Sequence, residues 1–260
     1  MVERSHASLA RRAVMDRIVC GVDGSAAGWD TVRLAATFGA PDGRLIVVAV
    51  APAARAAHPE VASVLVQRAS DSALEGERMA GAGAEGHVVV GEPADALLDA
   101  AAAHGATLLA VGSHGTGRVR GILTGSVATA ALHRARCSVL VARAPSPPTG
   151  IVVGLDGSRA AARAADVAVG IGQALGVPVT GIAAGEEAAA LCDAPGLSET
   201  RRDPRDPVEA LLDAAGSGHL VVVGARGVRG VAALGSVSER VAHRAEASVL
   251  VVRGPRAAHG

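Results

Sequence analysis

Glycine and serine recur in one spacing at two places in the chain. Gly112-Ser113-His114-Gly115 is followed after nine residues by Gly125-Ser126, and Gly224-Ala225-Arg226-Gly227 is followed after seven by Gly235-Ser236. Each group follows an apolar run (Thr107 to Val111, His219 to Val223) and leads into a segment with helical spacing. A strand, a glycine loop and a helix start make a phosphate site, because glycine lets the backbone approach a ligand closely while the helix offers unpaired N–H groups and the positive end of its dipole. An ordinary strand-to-helix loop has the same outline, but two copies at matching places are hard to ascribe to chance. A Walker-type loop is excluded, since all 25 basic residues are arginine and that loop needs its lysine. Backbone N–H groups, serine hydroxyls and Arg118 or Arg120 must do the work instead.

The elements that carry these loops follow from periodicity. In the first half, strands are expected at Arg17–Asp23, Arg44–Val50, His87–Val90, Thr107–Val111 and Ser138–Ala142, with helical patterns between them. Ser25 suits the cap of the first helix, whose Val32, Ala35 and Ala36 form a sheet-facing stripe. Pro93 suits the first turn of another, with Ala96, Leu97 and Ala100 facing inward. Alternating βα units imply an α/β fold with a doubly wound parallel sheet of order 3-2-1-4-5. In that order strands one and four are neighbours, and ligands bind in the crevice at their carboxyl ends. Asp23 and Gly112 stand there, an acid and a phosphate loop on opposite walls of one cleft, which suits a nucleotide.

Further internal similarity divides the chain into tandem domains. Ile18–Ser25 returns as Ile151–Ser158, Pro93–Ala100 as Pro207–Ala214, and Cys137–Arg143 as Ala247–Arg253. The expected domains are 14–144 and 150–254, each with its own core and site, joined by a proline-rich spacer. The 260 residues are half hydrophobic and carry a formal net charge of zero, with 1% aromatic residues. That balance speaks against a basic, stacking nucleic-acid surface. No run reaches the ~20 apolar residues of a membrane helix, and no secretory h-region is readable near Met1. The expected location is the cytoplasm, where Cys20, Cys137 and Cys192 are reduced thiols, two of them in predicted buried strands.

With these residues in view, the chain resembles a tandem universal stress protein. The family's pattern is Gly, two residues, Gly, nine residues, Gly, then Ser or Thr, which Gly112, Gly115, Gly125 and Ser126 match; the opening Asp-Gly-Ser and the closing Ser-Val-Leu-Val-Ala-Arg strand add to the likeness. The resemblance implies ATP as the bound ligand. Asp23 would meet the adenine end, Val50 late in strand two would line the base pocket, and Gly112, Gly115, Gly125 and Ser126 would hold ribose and phosphates. It also implies pairing of the closing strands about a two-fold axis, hence an internal pseudodimer, with a homodimer as the second option.

The second half departs from the pattern. Its loop is two residues shorter, and Asp156 to Gly224 spans 68 positions where Asp23 to Gly112 spans 89. The stretch from Gly185 through Pro204 has no apolar β run, so a reduced, four-stranded sheet is expected there. Ala184 stands where Val50 does, and Arg205 replaces Gly91. A weaker second site is therefore expected at Asp156, Gly224, Gly227, Gly235 and Ser236.

Other chemistry is sparse. His133 and His243 sit at equivalent helix ends, where the negative end of the dipole favours them, and no histidine has a metal-ligand spacing with Cys or Asp. Ser25 and Ser158 are caps rather than nucleophiles, and no general base is placed for hydrolysis. No catalytic residue and no metal ligand is expected. The favoured reading is an ATP-binding stress-response or regulatory module, not an enzyme, that acts through a protein partner the sequence leaves unidentified. The alternative is an adenylating or ATP-pyrophosphatase-like enzyme of a related nucleotide-binding fold, although Gly21–Ser25 lacks the Ser-Gly-Gly-x-Asp-Ser loop of that class.

Overall fold

A computed structural model describes residues 15–53, 59–81, 83–113, 125–144, 146–185, 194–225 and 235–254. In the first half, β1 (Met15–Val22), β2 (Gly39–Ala51), β3 (Ala84–Val90), β4 (Leu108–Gly112) and β5 (Ser138–Ala142) alternate with helices α1 (Ala26–Ala36), α2 (Pro59–Ala80), α3 (Pro93–Ala103) and α4 (Ser126–Arg134). The second half comprises β6 (Gly150–Leu155), α5 (Arg159–Leu175), β7 (Val179–Ala184), β8 (Glu199–Asp203), α6 (Pro207–Ala214), β9 (His219–Gly224), α7 (Ser236–Arg244) and β10 (Ser248–Val252).

The ten strands of the described residues belong to one sheet of order β3-β2-β1-β4-β5-β10-β9-β6-β7-β8. Each half is parallel and has the expected order 3-2-1-4-5. Between them β5 and β10 pair antiparallel, Leu140 opposite Leu250. The second sheet thus has five strands and not four. Its β8 escapes an apolar pattern because it is an edge strand of sequence Glu-Thr-Arg-Arg-Asp, parallel to β7 from Thr180↔Glu199 to Ala184↔Asp203. The reduction lies instead in the β7–β8 connection, residues 185–198, which stands where 52–83 carries the whole of α2 in the first half.

Strands buried on both faces are near-continuous apolar runs, and successive side chains go to opposite layers. Ile18, Cys20 and Val22 of β1 join one apolar layer with Val32 of α1, Ala69 of α2 and Ala164 of α5. Val19 joins the other with Leu97 of α3, Ala131 of α4, Leu211 of α6 and Val241 of α7. Both layers run on through β5 and β10 into the other half, so the halves share two continuous cores rather than holding one each. Cys20 is fully buried, and burial pushes its thiol up to about 12. Cys137, just before β5, is half-buried, and Cys192 lies outside the described residues. Among the described residues no helix is long and apolar enough to cross a membrane.

The seam is locked by two arginines that cross it in opposite directions. Arg253, beyond β10, donates to the carbonyls of Leu132 (2.5 Å) and Cys137 (3.3 Å) at the end of α4. Arg143, beyond β5, donates to those of Ala242 (2.5 Å) and Ala247 (3.2 Å) at the end of α7. Two buried serines complete the exchange: Ser248 Oγ accepts from Arg143 N at 3.0 Å, and Ser138 Oγ accepts from Arg253 N at 3.1 Å. Burial pulls the Arg143 guanidinium down to about 10, which leaves it charged at neutral pH. Each arginine satisfies carbonyls that a helix end cannot pair itself. Arg253→Ala should therefore cost on the order of 1.5–3 kcal/mol, read as a lower urea midpoint at unchanged slope. Arg253→Lys should recover little of it, since one ammonium does not reproduce the planar fork.

Candidate functional site

At the carboxyl ends of β1 and β4 the chain turns to opposite faces and leaves a cavity of about 570 Å³. Asp23, Val50, Gly112, Gly125 and Ser126 all line it. Strand register explains Val50: Val22 pairs with Ala49, so Asp23 and Val50 emerge side by side at the strand ends. Gly115, like His114, Arg118 and Arg120, lies outside the described residues.

Asp23 is held by the turn that follows it. Its Oδ1 accepts from Ser25 N (3.0 Å) and Ser25 Oγ (2.5 Å), Gly24 supplies the left-handed turn at φ +77°, and Ser25 Oγ accepts from Gly28 N at 3.1 Å to cap α1. The cap and the acid therefore form one unit, which fixes the direction of the carboxylate toward the cleft mouth. Across the cavity, α4 begins differently. Its cap residue is Gly125, which has no side chain to accept from the first turn, and Gly125 N itself donates to Ser113 O at 2.6 Å. That bond closes the glycine loop at its base. The N–H groups of Ser126, Val127 and Ala128 have no partner within the helix, and all three residues line the cavity.

The fourth wall is α2, which sequence reasoning passed over. Leu65, Arg68, Ala69 and Ser72 line the cavity. Their spacing of i, i+3, i+4 and i+7 marks one helical face, and that periodicity was the available signal. Asp23 and Arg68 are the charged groups among the described lining residues.

The second half repeats the plan with less room. Asp156, Ala184, Gly224, Gly235 and Ser236 line a cavity of about 130 Å³, and Gly227 lies outside the described residues. Leu155 pairs with Ala183, so Ala184 occupies the Val50 position. Asp156 accepts from Ser158 N at 3.0 Å, Gly157 turns at φ +72°, and Ser158 Oγ caps α5 through Ala161 N at 3.1 Å. Three differences go with the smaller space. Among the described residues, none of the β7–β8 connection lines it. Ala161 stands where Gly28 does, and a Cβ on Gly224 would lie 2.5 Å from the Ala160 carbonyl, so the first turn of α5 rests on the end of β9. Ser238 Oγ, where the first half has Ala128, donates to Gly224 O at 2.7 Å and draws α7 onto the same point. Where Gly91 precedes α3, Arg205 precedes α6 and bonds Asp203 (2.7 Å) and Asp213 (2.5 Å), which holds the Asp203 carboxyl below its usual range.

A parallel 3-2-1-4-5 sheet in each half, with an acid after its first strand and an uncapped helix after its fourth, places a ligand-type crevice at the topological switch point of the sheet. The chain belongs to the universal stress protein family, whose model matches residues 15–143 and 181–253. The match passes over β6 and Asp156, which the fold nevertheless aligns with β1 and Asp23. A universal stress protein from Archaeoglobus fulgidus DSM 4304 is 20% identical, over 91% of this chain and 96% of its own, with a TM-score of 0.70. A functionally unknown protein from Pseudomonas aeruginosa PAO1 (17% identical, 92% and 93% covered, TM-score 0.62) has the same fold. So does a putative universal stress protein from Pseudomonas aeruginosa UCBPP-PA14 (16% identical, 92% and 94% covered, TM-score 0.60).

Contact between α5 and the end of β9 makes Gly224 a test of the closed second cavity. Gly224→Ala should destabilise the protein by about 1–3 kcal/mol, the usual range for overpacking against backbone. A change under 0.5 kcal/mol in chemical denaturation would mean that the first turn of α5 yields freely.

Proposed function

We propose that the chain is an ATP-binding regulatory module, with the nucleotide in the first-half cavity. The observation that carries this reading is the uncapped start of α4 facing Asp23 across about 570 Å³. That volume falls within the ~300–1,000 Å³ usual for small-molecule sites, whereas 130 Å³ falls below it. Asp23 and Val50 take the adenosine end. Gly112, Gly125 and Ser126, with Gly115 in the loop, take ribose and phosphates, and Arg68 adds a positive charge from α2.

A regulatory role, as opposed to turnover, is supported by the make-up of the described lining, in which Asp23 is the one carboxylate and Arg68 the one guanidinium, and by a chain that has no lysine. The same helix that lines the cavity shows apolar side chains outward, Val61, Val64 and Leu74 each more than half exposed. Nucleotide occupancy thereby reaches a surface suited to a protein partner. The two halves act as an internal pseudodimer, supported by the β5–β10 pairing and the reciprocal arginines. In the cytoplasm Cys20 and Cys137 would stay thiols, and both are unpaired here.

Calorimetry should find about one tight adenine-nucleotide site per chain. Gly125→Val, which puts a branched side chain at the helix start, and Asp23→Asn should each weaken it about tenfold to a hundredfold, the loss of a donor or acceptor to a charged group. Asp156→Asn and Gly235→Val should leave it nearly unchanged. Undiminished affinity in Gly125→Val overturns the placement, and two equivalent tight sites overturn the asymmetry. Steady ATP hydrolysis at ~1 per second or faster, abolished by Ser126→Ala, would return the protein to the adenylating or pyrophosphatase-like alternative.

A further inference from the structure

The β5–β10 seam brings together the carboxy-terminal ends of α4 and α7, helices from different halves. His133 comes from α4, and Glu239 and His243 come from α7. Glu239 and His243 are four residues apart on one helix, so they share a face. The internal repeat sets His133 in the position of His243, and the pseudo-two-fold relation between the halves turns the two histidines toward each other. His133 Nε2 lies 3.2 Å from Glu239 Oε1, and one ligand atom from each of the three residues lies within 4.8 Å of the other two.

We propose that His133, Glu239 and His243 form a binding site for a divalent transition-metal ion, with Zn²⁺ as the fitting member of that class. Tetrahedral ligands at ~2.0–2.2 Å from Zn²⁺ stand ~3.3 Å from one another, close to the His133–Glu239 distance already present. Small side-chain rotations bring His243 to the same spacing. Two imidazoles and one carboxylate favour Zn²⁺, Cu²⁺ or Ni²⁺ over Mg²⁺ and Ca²⁺, which take oxygen ligands. Three protein ligands leave the fourth position to water. All three side chains are at least partly exposed, which gives the ion a direct path from solvent.

Metal capture here has a mechanical meaning that a surface ion pair lacks. Its ligands come from both halves, so the bound ion staples α4 to α7 across the seam. An ion that binds the folded chain and not the separated helices raises the melting temperature as its concentration rises. His133 and His243 stand at the carboxyl ends of the two helices, away from the cavities at their amino ends, while Glu239 in the first turn of α7 follows Ser238, which lines the smaller cavity.

The test uses the full chain without an affinity tag, stripped by chelator and free of nucleotide. Titration with Zn²⁺ should give one ion per chain in the micromolar range or tighter, a rising melting temperature, and with Co²⁺ the visible bands of a tetrahedral ion. His133→Ala, His243→Gln and Glu239→Gln should each weaken binding at least tenfold and remove the thermal shift. The control His87→Ala, placed on the remote β3, should leave both unchanged. Far-UV circular dichroism checks that each variant folds, and because the three residues lie on two helices of separate halves, a folded variant is expected for each side of the site. The proposal is overturned by affinity no tighter than millimolar, by one ion per two chains, or by undiminished affinity in a folded His133→Ala or His243→Gln variant.

Discussion

Two five-residue strands that are buried on both faces cannot end a sheet in water. Every residue of β5 and of β10 is buried, and a strand of that kind left as an edge would offer unpaired backbone groups and apolar side chains to any other chain. Pairing the two strands with each other removes both edges at once. Antiparallel pairing follows from a two-fold relation between repeated halves, and it delivers Arg143 and Arg253 to the carbonyl ends of the opposite helices. Those guanidiniums lose solvation on burial, so they are tolerated only because helix carbonyls without partners receive them. The outer edges are protected differently. On β8 Glu199, Arg201, Arg202 and Asp203 keep charge along the strand, with Glu199 and Arg201 paired at 3.0 Å. Such an edge is unattractive to further strands.

Asymmetry between the cavities follows from what the shortened connection omits. The sheet does not need α2, since β8 still pairs with β7 along five residues without a long crossover helix before it. The cleft does need it. With α2 present, Leu65 and Ala69 close the far side of the cavity and Arg68 brings charge. Without it, α5 settles onto Gly224 and α7 is tied to the same carbonyl by Ser238. A connection of 14 residues is too short for a helix of 22, and among the described residues none of it lines the smaller cavity.

Much of this was legible in the sequence because the signals are local. The Asp-Gly-Ser turns state their own geometry: a glycine at φ above +70°, an acid accepting from the residue two ahead, and a serine capping the next helix. The apolar runs and their repeats marked eight of the ten described strands, β7 being implied only by the equivalence of Ala184 and Val50, and Pro93 began its helix as expected. What stayed hidden depends on partners distant in the chain. β8 has no apolar pattern of its own and is a strand through its register with β7. Arg68 is ordinary on a helix until that helix is laid over the strand ends. His133 is 106 positions from Glu239, and only the seam makes them neighbours; the spacing of Glu239 to His243 was visible, but two of three ligands on one helix specify little.

Helices α4 and α7 join the parts of the molecule that have chemistry. Each has nine residues, so about 13 Å separates its ends. At the amino ends, Gly125 and Gly235 leave N–H groups pointed at the two cavities. At the carboxyl ends, Leu132 and Ala242 accept the crossing arginines. A rod this short has little freedom to bend, and its sides are packed by Ala128, Ala131 and Leu132 in one half and by Ser238, Val241 and Ala242 in the other. A displacement imposed at one end must be absorbed at the other or lost in the layer between, and close-packed interiors absorb little. The start of α4, which lines the open cavity, and its end, which receives Arg253, therefore belong to one short rigid helix.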